Sequence, residues 1–189
     1  MKKSKSIQAI VIGTSAGGLD ALSTILSGLP STLAVPILVV IHLPPHKISS
    51  IADILNVRCD LNVIEACDKT NIQKGHIYFA PPNYHMMIEK DKTISLSVDE
   101  AVNFSRPSID VLFETAADAY GQNLLGVVLT GANGDGAKGL KKIVDFGGRA
   151  IVQNPDDAEM AFMPREALHL CPNAMVMNLL DIHQFFLVL

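Results

Sequence analysis

Ser15 stands at the apex of Gly13-Thr14-Ser15-Ala16-Gly17-Gly18, directly behind the apolar run from Ile7 to Ile12. Glycines on both sides let the backbone turn sharply and project the hydroxyl from the carboxyl edge of a sheet. The segment has the G-x-S-x-G form of a nucleophile elbow, which points to acyl transfer through a serine ester. A phosphate-cradling loop or a plain strand-to-helix turn would use the same residues.

A serine nucleophile needs a base, and the base needs a carboxylate that sets its tautomer. His42 follows the apolar run Ile37 to Ile41, and Pro44-Pro45 directs the chain away from it. It reads either as a base at the same sheet edge or as a polar strand-end residue with no catalytic role. Asp135 lies in Leu129-Thr130-Gly131-Ala132-Asn133-Gly134-Asp135-Gly136, again between an apolar run and a helical pattern. It could orient the histidine or cap the helix that follows. The backbone N–H groups of Ala16 and Ala132 are the candidate oxyanion donors. His46 is separated from His42 by two prolines, so the pair does not fit a helical metal site. His76, His85, His169 and His183 have no local context that marks them as functional.

These residues must be held by strands and helices that alternate along the chain. Strands are expected at 7–12, 37–41, 62–66, 77–80, 125–130, 149–153 and 174–177. Helices are expected at 19–29, from Ile48 to Leu55, at 109–120, 137–146 and 163–170, and at 181–188. The apolar stripe Ile109, Leu112, Phe113, Ala116 and Tyr120 has helical spacing, and Pro107 is expected at the first helical position. Tyr84 to Glu89 and Thr93 to Val98 read as a hairpin with one wet face. The expected fold is α/β, a doubly wound, mostly parallel sheet with helices on both faces and an antiparallel hairpin insertion near residues 76–98. Such sheets bind ligands outside the carboxyl ends of their strands, where Ser15, His42 and Asp135 all fall.

The chain has 189 residues, 49% of them hydrophobic and 18% charged, with a formal charge of −4. A domain of this size buries roughly 70% of the surface its unfolded chain exposes, enough for a core without metal or disulfide staples. The mildly acidic balance disfavours nucleic acid as a main partner. No apolar run approaches the ~20 residues of a membrane span. Lys2, Lys3 and Lys5 precede no signal-peptide core, so residues 1–6 are expected to be a disordered basic tail ahead of a domain at 7–189. Cys59, Cys67 and Cys171 have no metal-ligand spacing and are expected to be reduced thiols in the cytoplasm.

The chain resembles the catalytic domain of the bacterial chemotaxis protein-glutamate methylesterases over roughly residues 7–180. The resemblance rests on Ile12 to Gly18, His42-Leu43-Pro44-Pro45, Gly75 to Pro82, Arg106 to Phe113, Leu129 to Ala137 and Met163 to Ala167, in the family's order. It implies Ser15 as nucleophile, His42 as general base and Asp135 as orienting acid, with no metal or organic cofactor. It implies hydrolysis of glutamyl methyl esters on the cytoplasmic helical bundle of chemoreceptors, and deamidation of receptor glutamines in some members. Separate signalling proteins are a further class of implied partner.

The chain departs from the family pattern in three places. Residues 1–6 leave no room before the first strand for a phospho-receiver domain, so aspartyl-phosphate control within the chain is not expected. Ala16 stands where threonine is common. The loop often written Gly-Met-Gly-Asn-Asp-Gly is here Gly131-Ala132-Asn133-Gly134-Asp135-Gly136. That altered loop is the basis of an alternative reading, a methylesterase-like binding module without strong catalysis. A nucleotide-binding protein fits less well, because Ser15 occupies the place of a required glycine and no Gly-Lys-Ser/Thr occurs.

Overall fold

The computed structural model describes residues 6–42 and 51–189. Ten strands and six helices succeed one another along it. They are β1 (Ala9–Thr14), α1 (Gly18–Leu26), β2 (Ile37–Ile41), α2 (Ile51–Asn56), β3 (Asn62–Glu65), β4 (Thr70–Asn71), β5 (His76–Phe79), β6 (His85–Ile88), β7 (Thr93–Ser97), α3 (Ile109–Tyr120), β8 (Leu124–Val128), α4 (Ala137–Asp145), β9 (Arg149–Gln153), α5 (Phe162–Leu170), β10 (Met175–Met177) and α6 (Leu179–Leu187).

Seven strands form one parallel sheet in the order β10-β9-β8-β1-β2-β5-β3. Every residue of β1, β2 and β8 is buried, as expected of central strands covered on both faces. Alternate side chains enter two cores. Ile10, Ile12, Ile37 and Val39 pack with Leu22 and Ile25 of α1, Leu55 of α2, and Ile182 and Phe186 of α6. Ala9, Val11, Leu38 and Val40 pack on the other face with Leu112 and Phe113 of α3, Leu140 and Ile143 of α4, and Met163 of α5. This is the doubly wound α/β architecture.

The antiparallel part is a separate three-stranded sheet, β4-β7-β6. Its hairpin is β6–β7, whereas His76–Phe79 joins the main parallel sheet between β2 and β3. The hairpin buries Met86, Ile88 and Ile94 against the α3 side, so its wet face is the opposite one. Two boundaries differ from expectation for local reasons. Helix α1 ends at Leu26 because Gly28 takes a left-handed φ of 72° well before Pro30. Pro107 precedes α3 instead of opening it, after a cis Arg106–Pro107 bond, and the cap is Ser108, whose hydroxyl accepts from Val111 N–H. Pro44-Pro45, His46, the helix start at Ile48 and the lysines of the basic tail lie outside the described residues.

Candidate active site

Strands β8, β1 and β2 are adjacent, and neighbouring strands lie about 4.8 Å apart. The loops beyond their carboxyl ends must therefore meet, and they carry Gly131–Asp135, Ser15 and His42. Backbone and hydroxyl bonds tie the three strand ends together. Ser15 N–H donates to Thr130 O at 3.0 Å and His42 N–H to Thr14 O at 3.1 Å. Thr14 Oγ1 donates to Thr130 O at 2.8 Å, and Thr130 Oγ1 to Ala16 O at 2.9 Å. Gly17 follows with φ 75°, where a Cβ would be strained and would also meet Glu159 Oε2 at 2.7 Å. The serine is thus set on a turn that only glycine closes comfortably.

Asp135 is fully buried. Its Oδ2 accepts from His42 Nε2 at 3.0 Å and Ile109 N–H at 2.6 Å. Its Oδ1 accepts from Asn103 Nδ2 at 3.0 Å, Ser108 Oγ at 2.9 Å and Asp110 N–H at 3.2 Å. Burial alone would push the carboxyl up, but the bonds from His42, Ile109 N–H and Asn103 outweigh it and hold Asp135 below the ordinary carboxylate range. An ionised carboxylate accepts only, so the His42 proton resides on Nε2 and Nδ1 keeps its lone pair. Nδ1 meets Asn133 Nδ2 at 3.3 Å, which makes the Asn133 amide its donor.

Asp135 does cap a helix, but a different one from the helix that follows it. Its acceptors serve the first turn of α3, while Asp110 of α3 accepts from Gly136 and Gly139 N–H at 3.0 and 2.7 Å and so caps α4. The two helix N-termini are exchanged between two carboxylates, a placement the helix dipoles favour. The carboxylates share Asn103, whose Nδ2 also donates to Asp110 Oδ2 at 2.9 Å. Burial raises the Asp110 pKa, the Gly139 N–H opposes the rise, and the charge on Asp135 adds to it.

A cleft of about 370 Å³ opens over this frame, lined by Ser15, His42 and Asn133 on one side and by Asn83, Phe104 and Arg106 among others on the rim. The Ser15 hydroxyl makes no hydrogen bond among the described residues. Ala16 and Ala132 are exposed, and their N–H groups donate to nothing among the described residues. Neither belongs to the cleft lining, whereas Asn133 between them and Asp135 does. No cluster of three or more His, Cys, Asp or Glu side chains able to hold a metal occurs among the described residues.

Sequence reasoning placed Ser15, His42 and Asp135 at one edge, and the structure brings them to one site. It missed Asn103, Ser108, Asp110 and Asn133. The Arg106–Phe113 motif was visible, but no local pattern says that its Ser108 and Asp110 meet a loop 25 residues or more away.

The family model described as CheB methylesterase matches residues 10–186. A Leptospira interrogans protein, named provisionally as a protein-glutamate methylesterase/protein-glutamine glutaminase, is 51% identical over 180 residues, covering 95% of this chain and 93% of that protein. The Escherichia coli K12 protein-glutamate methylesterase/protein-glutamine glutaminase is 37% identical over 183 residues, 95% of this chain and 52% of that protein. The crystal structure of the Thermotoga maritima CheB methylesterase catalytic domain matches with a TM-score of 0.92 at 30% identity, covering 97% of this chain and 98% of that one.

Proposed function

The chain belongs to the CheB methylesterase family, and from that premise we propose that it is a serine hydrolase that removes methyl groups from glutamyl methyl esters of chemoreceptors. The observation that carries this reading is His42 held at 3.0 Å on the buried Asp135, with His42 and Ser15 lining one cleft.

Ser15 Oγ attacks the ester carbonyl carbon while its proton passes to His42 Nδ1. The tetrahedral adduct collapses with cleavage of the C–OCH₃ bond, and the methoxy oxygen takes the proton from Nδ1 to leave as methanol. Water then attacks the acyl-serine, gives its proton to Nδ1, and the Ser15–acyl bond breaks with return of that proton to Oγ. The product is the glutamyl carboxylic acid. Asp135 stays ionised throughout and stabilises the imidazolium formed at each step. A glutamine side-chain amide enters the same sequence with ammonia as leaving group.

The substrate is a residue on a protein helix, so the cleft has to accept a side chain presented from a surface. Its rim suits that task. Asn103 and Phe104 both hold left-handed φ values, 51° and 62°, within a turn closed by the Val102–Ser105 bridge. Asn103 is clamped to Asp110 and Asp135, and Phe104 is left fully exposed at the mouth. Backbone strain of this kind is concentrated at sites that bind or react. We place residues 7–189 as the catalytic domain, with the receptor's cytoplasmic helical bundle as partner. No described helix is long and apolar enough to cross a membrane, and all three cysteines are free.

The test is methanol release from a methylated receptor fragment. The wild-type chain should release it, and Ser15→Ala should lose about 10⁴–10⁶ in kcat with its fold retained. Near-normal release by that variant would overturn the assignment.

A further inference from the structure

Asn133 is a cleft side chain in direct contact with the base. Its amide is oriented at both ends. Oδ1 accepts from Asp135 N–H at 3.1 Å, which leaves Nδ2 facing His42 Nδ1 at 3.3 Å. The lone pair that Nδ2 occupies is the one that must receive the Ser15 proton. The resting arrangement is therefore exclusive: His42 cannot hold the Asn133 amide and accept from Ser15 at the same time. Nδ2 has to leave Nδ1 when the reaction begins, and it is then a donor without an acceptor in a cleft where negative charge is about to form.

Ala16 and Ala132 offer exposed backbone N–H groups without an acceptor among the described residues, and Arg106 lines the cleft with an unpartnered Nε. Asn133 is the donor set directly against the base.

We propose that Asn133 is a catalytic residue of this chain: its side-chain amide rests on His42 Nδ1 in the free enzyme and donates to the carbonyl oxygen of the ester as that oxygen becomes an oxyanion. The bond from Asp135 N–H to Oδ1 is the pivot that keeps the amide oriented through the exchange. The transfer couples two events. Arrival of the carbonyl draws Nδ2 away, and the freed Nδ1 becomes the base for Ser15. This inference rests on Ser15 and His42 being nucleophile and base.

The experiment is steady-state hydrolysis of a glutamyl methyl ester peptide by Asn133→Ala and Asn133→Asp in the full chain, with the inhibition constant of a boronic acid that forms a tetrahedral adduct on serine. Asn133→Asp keeps the acceptor for Asp135 N–H and removes the donor, so it reports on the donor even if Asn133→Ala fails to fold. The expected result is a fall in kcat of about 10²–10³, the cost of one oxyanion donor, with KM within about threefold and boronate affinity weakened in proportion to kcat/KM. An unchanged kcat overturns the proposal. So does a raised kcat, which would make the amide a brake on His42, and so does a fall in kcat with boronate affinity intact. If the wild-type chain shows no Ser15-dependent hydrolysis, the underlying esterase reading fails instead.

Discussion

Replacing Asp135 by asparagine should injure stability and catalysis together, and the structure sets the size of both effects. The carboxylate accepts from five donors on its two oxygens. Asparagine offers one acceptor oxygen and turns an NH₂ toward the remaining donors. If its oxygen serves Ile109 N–H and His42 Nε2, the NH₂ confronts Asn103 Nδ2 and Asp110 N–H, and only the Ser108 hydroxyl can rotate to accept. One buried donor, Asp110 N–H, then loses its partner, at about 1–3 kcal/mol, while the exposed Asn103 keeps its bond to Asp110 Oδ2. If the amide is reversed, Ile109 N–H is orphaned and His42 must accept at Nε2, which moves its proton to Nδ1 and removes the base. The expected cost is about 1–3 kcal/mol, a Tm fall of about 3–12 °C for a chain of this length. The expected loss in kcat is about 10⁴, the scale set by wrong-tautomer variants of other triads. Differential scanning calorimetry and methanol release on the same preparation measure both. A Tm within 2 °C of wild type together with kcat within about tenfold would refute the reasoning, because it would mean that Asp135 neither anchors α3 nor holds the histidine.

Further outcomes follow from the same frame. Gly136 holds φ 95°, and a Cβ there would meet Ile109 Cγ2 at 2.6 Å; Gly136→Ala should destabilise by about 2–5 kcal/mol from strain plus overpacking, read as a lower urea midpoint at constant slope. Asp135 has a folded pKa below its unfolded value, so its contribution is complete above about pH 4 and is lost as pH falls through the folded value. Asp110 is shifted upward, so its contribution is present below about pH 4 and is lost as pH rises through the folded value. Urea titrations across acidic pH should therefore show the acid-side loss diminished in Asp135→Asn and the opposite drift diminished in Asp110→Asn. Phe104→Ser should raise KM for a receptor-derived substrate about 5–30-fold with kcat and Tm near wild type, because the ring is fully exposed and supports nothing in the fold.

What was legible in the chain was the part written in local pattern. The all-apolar runs of β1, β2 and β8, each ending in glycine or a polar residue, announce buried parallel strands and mark the edge where ligands bind. Ser15, His42 and Asp135 could be placed there because each directly follows such a run or its turn. The rest depends on contacts between segments far apart in sequence. Whether Asp135 caps its own helix or another is decided by the packing of α3 on α4, with Gly139 close against Phe113 and Asp110. Local capping rules favour the helix that follows, and tertiary geometry chose the other. The antiparallel insertion was expected to begin near residue 76, yet the register of Ile77–Phe79 with Ile37–Val39 places that strand in the main sheet. Asn133 carried a signal only as a change of loop spelling, which says nothing of where its amide points.

The proposed activation of Ser15 by His42 held on Asp135 is tested by covalent labelling of the intact chain with a serine-directed fluorophosphonate, the adduct being located by peptide mass spectrometry. One adduct per chain is expected on Ser15, abolished in Ser15→Ala and slowed at least about 10³-fold in His42→Ala. Absence of labelling in a chain that still releases methanol, an adduct on another residue, or labelling of Ser15 at the same rate without His42 would contradict it.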